Sequence, residues 1–221
     1  MKKTIILVAI IFLSIAAMSQ TKYGVRAGMT LSSYYSTQDF YKFKPSFHVG
    51  GIVDIPISTS KFSFVTGLYF ADKGSKEDGN IIENNFTNVY GYSFKTTYDD
   101  YQLELPVLFT YKIPLNENLS LQPQIGFYVS YTLLMEMEES RVYSRDYASN
   151  PETNVTIIRH ASDKIINIGA KAGVSLFYKN YSFTYSCDVG YPNRSHYIRD
   201  EWNAPSDYPN ICMFFSLGYN F

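Results

Sequence analysis

The chain is short of charge, and shorter still of the residues that usually do chemistry. Only 18% of its 221 residues are charged, it has three histidines, two cysteines and one tryptophan, and its formal charge is −1. A balance so near zero excludes an obvious polyanion grip, because nucleic-acid domains carry a clustered basic excess. Two cysteines permit one bridge and make no disulfide framework. Neither Cys187 nor Cys212 has a histidine or cysteine at ligand spacing beside it, which excludes the usual zinc patterns. No glycine-rich phosphate loop is present. One apolar run opens the chain and no second follows, and with a mean hydropathy of −0.14 this excludes a bundle of membrane helices. What the chain has in quantity is aromatic side chains, 17% of all residues with 21 Tyr and 16 Phe. Disordered chains are poor in these residues, so disorder is excluded as well.

The opening run reads as an address. Lys2 and Lys3 form a short basic start, Thr4 to Ala16 is almost wholly apolar, and Ala17-Met18-Ser19 supplies the small residues a signal peptidase reads. The run is shorter than the ~20 apolar residues that span a bilayer. Residues 1–19 are therefore expected to be a cleaved secretory signal, and residues 20–221 a single domain.

That domain alternates with period two. In 22–33, Tyr23, Val25, Ala27, Met29 and Leu31 share one face, and Gly24, Arg26, Gly28, Thr30 and Ser32 the other. One apolar face against one small or polar face is the requirement of a half-buried strand. The pattern recurs in 45–57, 62–72, 100–113, 119–135, 163–178, 181–191 and 210–221, which makes eight candidate strands, and no segment of comparable length has helical periodicity. The connections alternate too. Ser58–Lys61, Pro114–Asn118 and Lys179–Asn180 are turns of four, five and two residues, whereas Tyr34–Lys44, Lys73–Asp99, Glu136–Ser162 and Pro192–Pro209 run to 11, 27, 27 and 18. Short turns on one rim and long loops on the other describe a closed, antiparallel, up-and-down transmembrane β-barrel, with termini and short turns in the periplasm and long loops outside. A soluble sandwich would not need all its long loops at one end.

The apolar face supports the membrane reading. Its aromatics gather at strand ends: Tyr23, Phe62, Tyr111, Tyr178, Tyr181 and Tyr219 near one rim, Phe47, Phe70, Tyr101, Tyr131 and Tyr191 near the other. Two such bands are expected where amphipathic rings meet lipid headgroups. Ten strands would result if Asn88–Tyr98 or Val155–Ile158 formed a separate hairpin.

The stretches KPSFHVGGIVDIPI (44–57), LELPVLFTYKI (103–113), LQPQIGFYVSYTL (121–133) and SLGYNF (216–221) resemble the outer-membrane β-barrel domain common in Bacteroidota, a group labelled PorT-like or porin-family. The resemblance spans the whole domain, and its most specific piece is the Leu105-Pro106 step inside a strand. It implies the fold, the outer membrane as compartment, and Phe221 as the terminal aromatic by which such barrels are recognised for assembly. It implies no catalytic residue and no cofactor.

An eight-stranded barrel has an interior just wide enough for side chains to fill it. The expected lumen face carries Tyr69, Tyr128, Phe177 and Phe214 together with Arg26, His48, Asp54, Glu104, Lys171 and Asp188. A two-residue turn at Lys179-Asn180 would place Lys171 directly opposite Asp188, within reach of an ion pair. It would also send Cys187 and Cys212 to opposite faces of the wall as free thiols. A catalytic or metal constellation is not expected: His160 and His196, with Asp200 and Glu201, lie on polar loops without a recurrent spacing, and the acidic Glu136, Glu138, Glu139 and the 72–80 segment do not match a calcium-loop template. The sequence points to a non-enzymatic barrel presenting long extracellular loops for binding or structural roles. The alternatives are a narrow solute channel and an accessory of a secretion machinery. The expected partners are outer-membrane lipid and the barrel-assembly machinery, with no nucleic acid and an extracellular partner that the residues do not name.

Overall fold

The computed structural model describes residues 21–34, 41–57, 60–85, 88–145, 153–161, 166–192 and 209–221. The expected secretory signal, residues 1–19, lies outside them. The strands, in chain order, are β1 (Lys22–Tyr34), β2 (Tyr41–Lys42), β3 (Lys44–Pro56), β4 (Phe62–Asn85), β5 (Asn88–Tyr111), β6 (Ile113–Pro114), β7 (Leu119–Arg145), β8 (Thr153–Ala161), β9 (Ile166–Tyr178), β10 (Tyr181–Pro192) and β11 (Asn210–Asn220). Eight of them close a ring in which every pair is antiparallel: β1 pairs β3, then β4, β5, β7, β9, β10 and β11 follow, and β11 returns to β1. The barrel is therefore eight-stranded. Asn88–Tyr98 belongs to β5, and Val155–Ile158 belongs to β8, which pairs with β7, so neither adds a stave to the ring.

Period-two alternation becomes in-and-out alternation around this ring. Along β1 the outward Tyr23, Val25 and Met29 are about half exposed, while Arg26, Thr30 and Ser32 are buried. The outer surface is where an apolar band meets lipid, and its rings touch across neighbouring strands. Phe62 lies 4.8 Å from Tyr111 and Tyr181 5.3 Å from Tyr219 near the short-turn rim; Phe70 stacks on Tyr101 at 6.1 Å near the other.

Local chemistry fixes the short turns. Lys179 takes the left-handed conformation (φ 53°) that a two-residue hairpin needs, although Asn-Gly is the favoured pair there. Tyr178 consequently faces Tyr181, which sets the whole β9–β10 register. At the 114–118 turn the Asn116 carboxamide oxygen accepts from the backbone N–H groups of Asn118 (3.0 Å) and Leu119 (2.8 Å), an Asx turn. Pro106, tolerated inside β5, interrupts the ladder to β4. Pairing steps from Thr66–Val107 to Tyr69–Glu104, and the Thr66 hydroxyl donates instead to the Pro106 carbonyl at 2.8 Å.

The rim opposite the turns differs from the sequence expectation. The segments 73–99 and 136–162 are not loops for most of their length. β4 and β5 stay paired without a shift from Tyr69–Glu104 up to Asn85–Asn88, and β7 continues to Arg145 against both β5 and β8. These extensions stand beyond the lipid, so their outer face has no reason to be apolar. Hydrophobic alternation fades there while backbone pairing continues. One extra residue in β7, Leu133, lets Gln102 pair with Thr132 but Tyr101 with Leu134. This bulge switches the inward positions of β7 from even to odd, which turns Met135 and Met137 inward.

Candidate functional site: a closed lumen

The interior is lined by polar and charged side chains with little access to solvent. At its centre four staves bring two lysines and two carboxylates together. Lys171 Nζ donates to Glu104 Oε1 at 2.6 Å and lies 3.6 Å from Asp188 Oδ2. Lys73 Nζ donates to Asp188 Oδ2 at 2.9 Å and lies 2.6 Å from Glu104 Oε2, in ion-pair contact but outside hydrogen-bond geometry. All four are at most 6% exposed. Two aromatic rings close over the charges: Lys73 Nζ sits 4.3 Å above the Tyr128 ring, and Lys171 Nζ sits 3.5 Å above Phe214. Each ammonium therefore meets carboxylate on one side and a π-face on another, arrangements that hold a desolvated cation.

The expected pair Lys171–Asp188 is thus part of a larger unit. The two do stand opposite one another in the β9–β10 register, but each has a closer partner across the lumen. The hydrophobic pattern ends before Lys73 and predicts a loop from that residue. The inward parity of β4 continues through Ala71 to Lys73 and Ser75, and following that parity two residues further would have found it. His48 is buried, with Nε2 2.8 Å from the Ser216 hydroxyl. Arg26 is also buried, while Asp54 lies at the periplasmic mouth, where it pairs in register with Lys22. Phe221 is exposed beyond the last strand, its backbone N–H donating to Tyr23 O at 2.8 Å. Cys187 is half-buried on the outer face, Cys212 is buried on the inner face, and both are free thiols. His196, Asp200 and Glu201 lie outside the described residues, and His160 stands in β8 in register with Glu136.

Above the central cluster, at the outer rim, Lys44 donates to both oxygens of Asp72 (2.7 and 2.8 Å) and also pairs with Asp99; Ser46 donates to the same Asp72 carboxylate. Higher still, Tyr34, Tyr41 and Tyr98 meet edge-on at ring separations of 6.0 Å and pack with Met137. Tyr98 donates to Glu77 Oε2 at 3.3 Å. Below the cluster the barrel opens into a periplasmic vestibule, a cavity of about 950 Å³. Its inner wall carries a buried relay in which Gln122 Nε2 donates to Thr110 Oγ1 (2.7 Å), which lies 2.7 Å from Ser63 Oγ.

This geometry defines a class: a transmembrane β-barrel with an apolar outer band, a polar interior, and an ion cluster and aromatic cap stacked across its bore. The model of the outer membrane protein beta-barrel domain family matches residues 17–192, and the chain belongs to that family; its place is the bacterial outer membrane. No functionally curated protein matches it in sequence. Among solved structures it is similar to the attachment invasion locus protein of Yersinia pestis, at 12% identity over 90% of this chain and 98% of that one, with a TM-score of 0.42. A major outer membrane protein from Thermus thermophilus matches at 14% identity, 91% and 100% coverage and a TM-score of 0.43. Neisserial surface protein A matches at 10% identity, 90% and 97% coverage and 0.39.

Proposed function

We propose that this barrel is a non-enzymatic anchor that holds a tall extracellular β-palisade, the paired extensions of β4, β5, β7 and β8, for binding or structural roles at the cell surface. The observation that carries this reading is the closed bore. Charges that are almost wholly buried and matched in number fill the cross-section between Tyr128 and Phe214, and an aromatic cap lies above them. A diffusion pore needs a water column where these side chains stand. The extensions, by contrast, prolong the sheet well past the outer aromatic band. A continuous hydrogen-bonded hairpin is stiffer than a loop and presents its side chains in fixed register.

Single-channel recording in planar bilayers tests the proposal. The expected trace is baseline, with at most brief flickers; a steady open-state current would sink the reading and favour a narrow solute channel, which the open periplasmic vestibule would then feed. The four segments resembling Bacteroidota barrels support placing the chain in that group. An accessory role in secretion would show as co-purifying partners and a secretion defect on deletion. We propose Phe221, exposed at the end of β11, as the mark read by the assembly machinery.

A further inference from the structure

One buried cation stands without an ion-pair partner among the described residues. The central cluster is balanced, and Lys44 is held by Asp72 and Asp99. Arg26 is 4% exposed and, among the described residues, makes no ion pair and no side-chain hydrogen bond; its Nε is buried without an acceptor. A lysine so placed could shed its proton, but a guanidinium cannot. An uncompensated charge therefore stays in the wall and is costly unless a counter-charge is supplied.

Its surroundings are those of a donor-lined niche. Arg26 pairs in register with Gly50 on one side and Gly218 on the other, and Gly218 also pairs with Ser182. A Cβ built on Gly218 would lie 2.6 Å from Ser182 Oγ and 2.9 Å from Arg26 Cγ, so both side chains lean over this glycine. Ser182 Oγ is itself buried without a partner. The Arg26 stem and the Ser182 hydroxyl thus meet over one glycine, and neither Arg26 Nε nor Ser182 Oγ has a hydrogen-bond partner among the described residues. The next layer toward the periplasm is the vestibule wall: Phe177 pairs with Ser182, and over Gly24, the inward position between Arg26 and Lys22, lies the carboxamide oxygen of Asn220, itself a vestibule residue. Lys22, Lys61, Lys112 and Lys179 line that vestibule against Asp54 and Glu117. A mouth with more cations than anions raises the local concentration of anions.

We propose that Arg26 and Ser182 form a binding site for a small oxyanion of the phosphate class, reached through the lysine-lined vestibule. The planar fork of a guanidinium matches two oxygens of such an ion, which chloride cannot offer. This site is independent of the palisade and of whether the bore conducts.

The test uses the full mature chain refolded in non-ionic detergent, so that no anionic lipid competes. Inorganic phosphate is titrated against chloride at constant ionic strength, and NMR follows the Arg26 Nε–H resonance and the Ser182 and Gly218 amides. Wild type should give saturable shifts that chloride does not reproduce. Arg26→Gln should weaken binding more than about ten-fold, the loss of a charge-assisted bidentate contact. Ser182→Ala, which removes a hydroxyl that already lacks a partner and so leaves the fold intact, should weaken it about three- to ten-fold, the worth of one hydrogen bond. Linear, non-saturating shifts in wild type, or unchanged affinity in Ser182→Ala and in a folded Arg26→Gln, would overturn the site.

Discussion

Removing one cation from the central cluster should cost more than removing a cation together with an anion. In Lys171→Met, Glu104 and Asp188 are left to share Lys73, so one buried negative charge is uncompensated. Breaking a buried pair in this way costs about 3–5 kcal/mol. Methionine keeps a flexible stem against Phe214, where the ammonium now sits 3.5 Å from the ring, so the loss is chiefly electrostatic. In Lys171→Met with Asp188→Leu, the remaining Lys73–Glu104 pair, at 2.6 Å, is already the shorter of the Lys73 contacts and restores neutrality. Replacing a buried pair by apolar groups is often near neutral, so the double variant should be more stable than the single by at least ~2 kcal/mol, a coupling of the size seen for residues in one network. Guanidinium titration in detergent micelles, followed by far-UV circular dichroism with coincident unfolding and refolding branches, measures this. A double variant whose loss equals the sum of the two single losses would show that the four groups do not act as a unit.

Two other outcomes follow from the outer face and the palisade. Phe127 is half exposed to lipid at the middle of the β7–β9 pairing, so Phe127→Lys should destabilise the barrel by ~2–4 kcal/mol in the same titration, whereas Leu115→Lys, on a periplasmic turn, should change little. Glu77 stands in the β4 extension, outside the membrane. Burial pushes its carboxyl up, the hydrogen bond from Tyr98 pulls it back, and Glu139 pushes it further up. A carboxyl whose folded pKa lies above its unfolded one opposes folding when ionised, and that opposition is relieved as pH falls through the raised value. Hydrogen-exchange protection in the β4–β5 extension should therefore increase on acidification from neutral pH. Glu77→Gln should hold the protected level throughout, and an identical pH response in the two proteins would refute the assignment.

Much of this molecule follows from residue order alone. Alternation in eight segments, with one face of each dominated by aliphatic and aromatic residues, leaves a barrel in lipid as the economical solution, because only a closed sheet satisfies its backbone there. The two-residue turn at Lys179-Asn180 then dictates the β9–β10 register and puts Lys171, Asp188 and Cys187 on their faces. These are local properties, carried by neighbours in sequence or across one hairpin. The long extensions of β4, β5 and β7 left little trace, since their outer face meets water and has no reason to be apolar, so the alternation fades there. Leu133 was equally silent, because a bulge is a matter of which partner a strand meets.

The centre of the lumen was decided only by closure. Lys73 and Glu104 come from staves on one side of the ring, and Lys171 and Asp188 from β9 and β10 on the other. No register argument reaches across the bore. Which acid each lysine prefers depends on the radius and tilt of the closed barrel, and so does the isolation of Arg26 among glycines with no carboxylate in reach. Periodicity assigns a side chain to a face; the curvature of the whole sheet decides which faces meet.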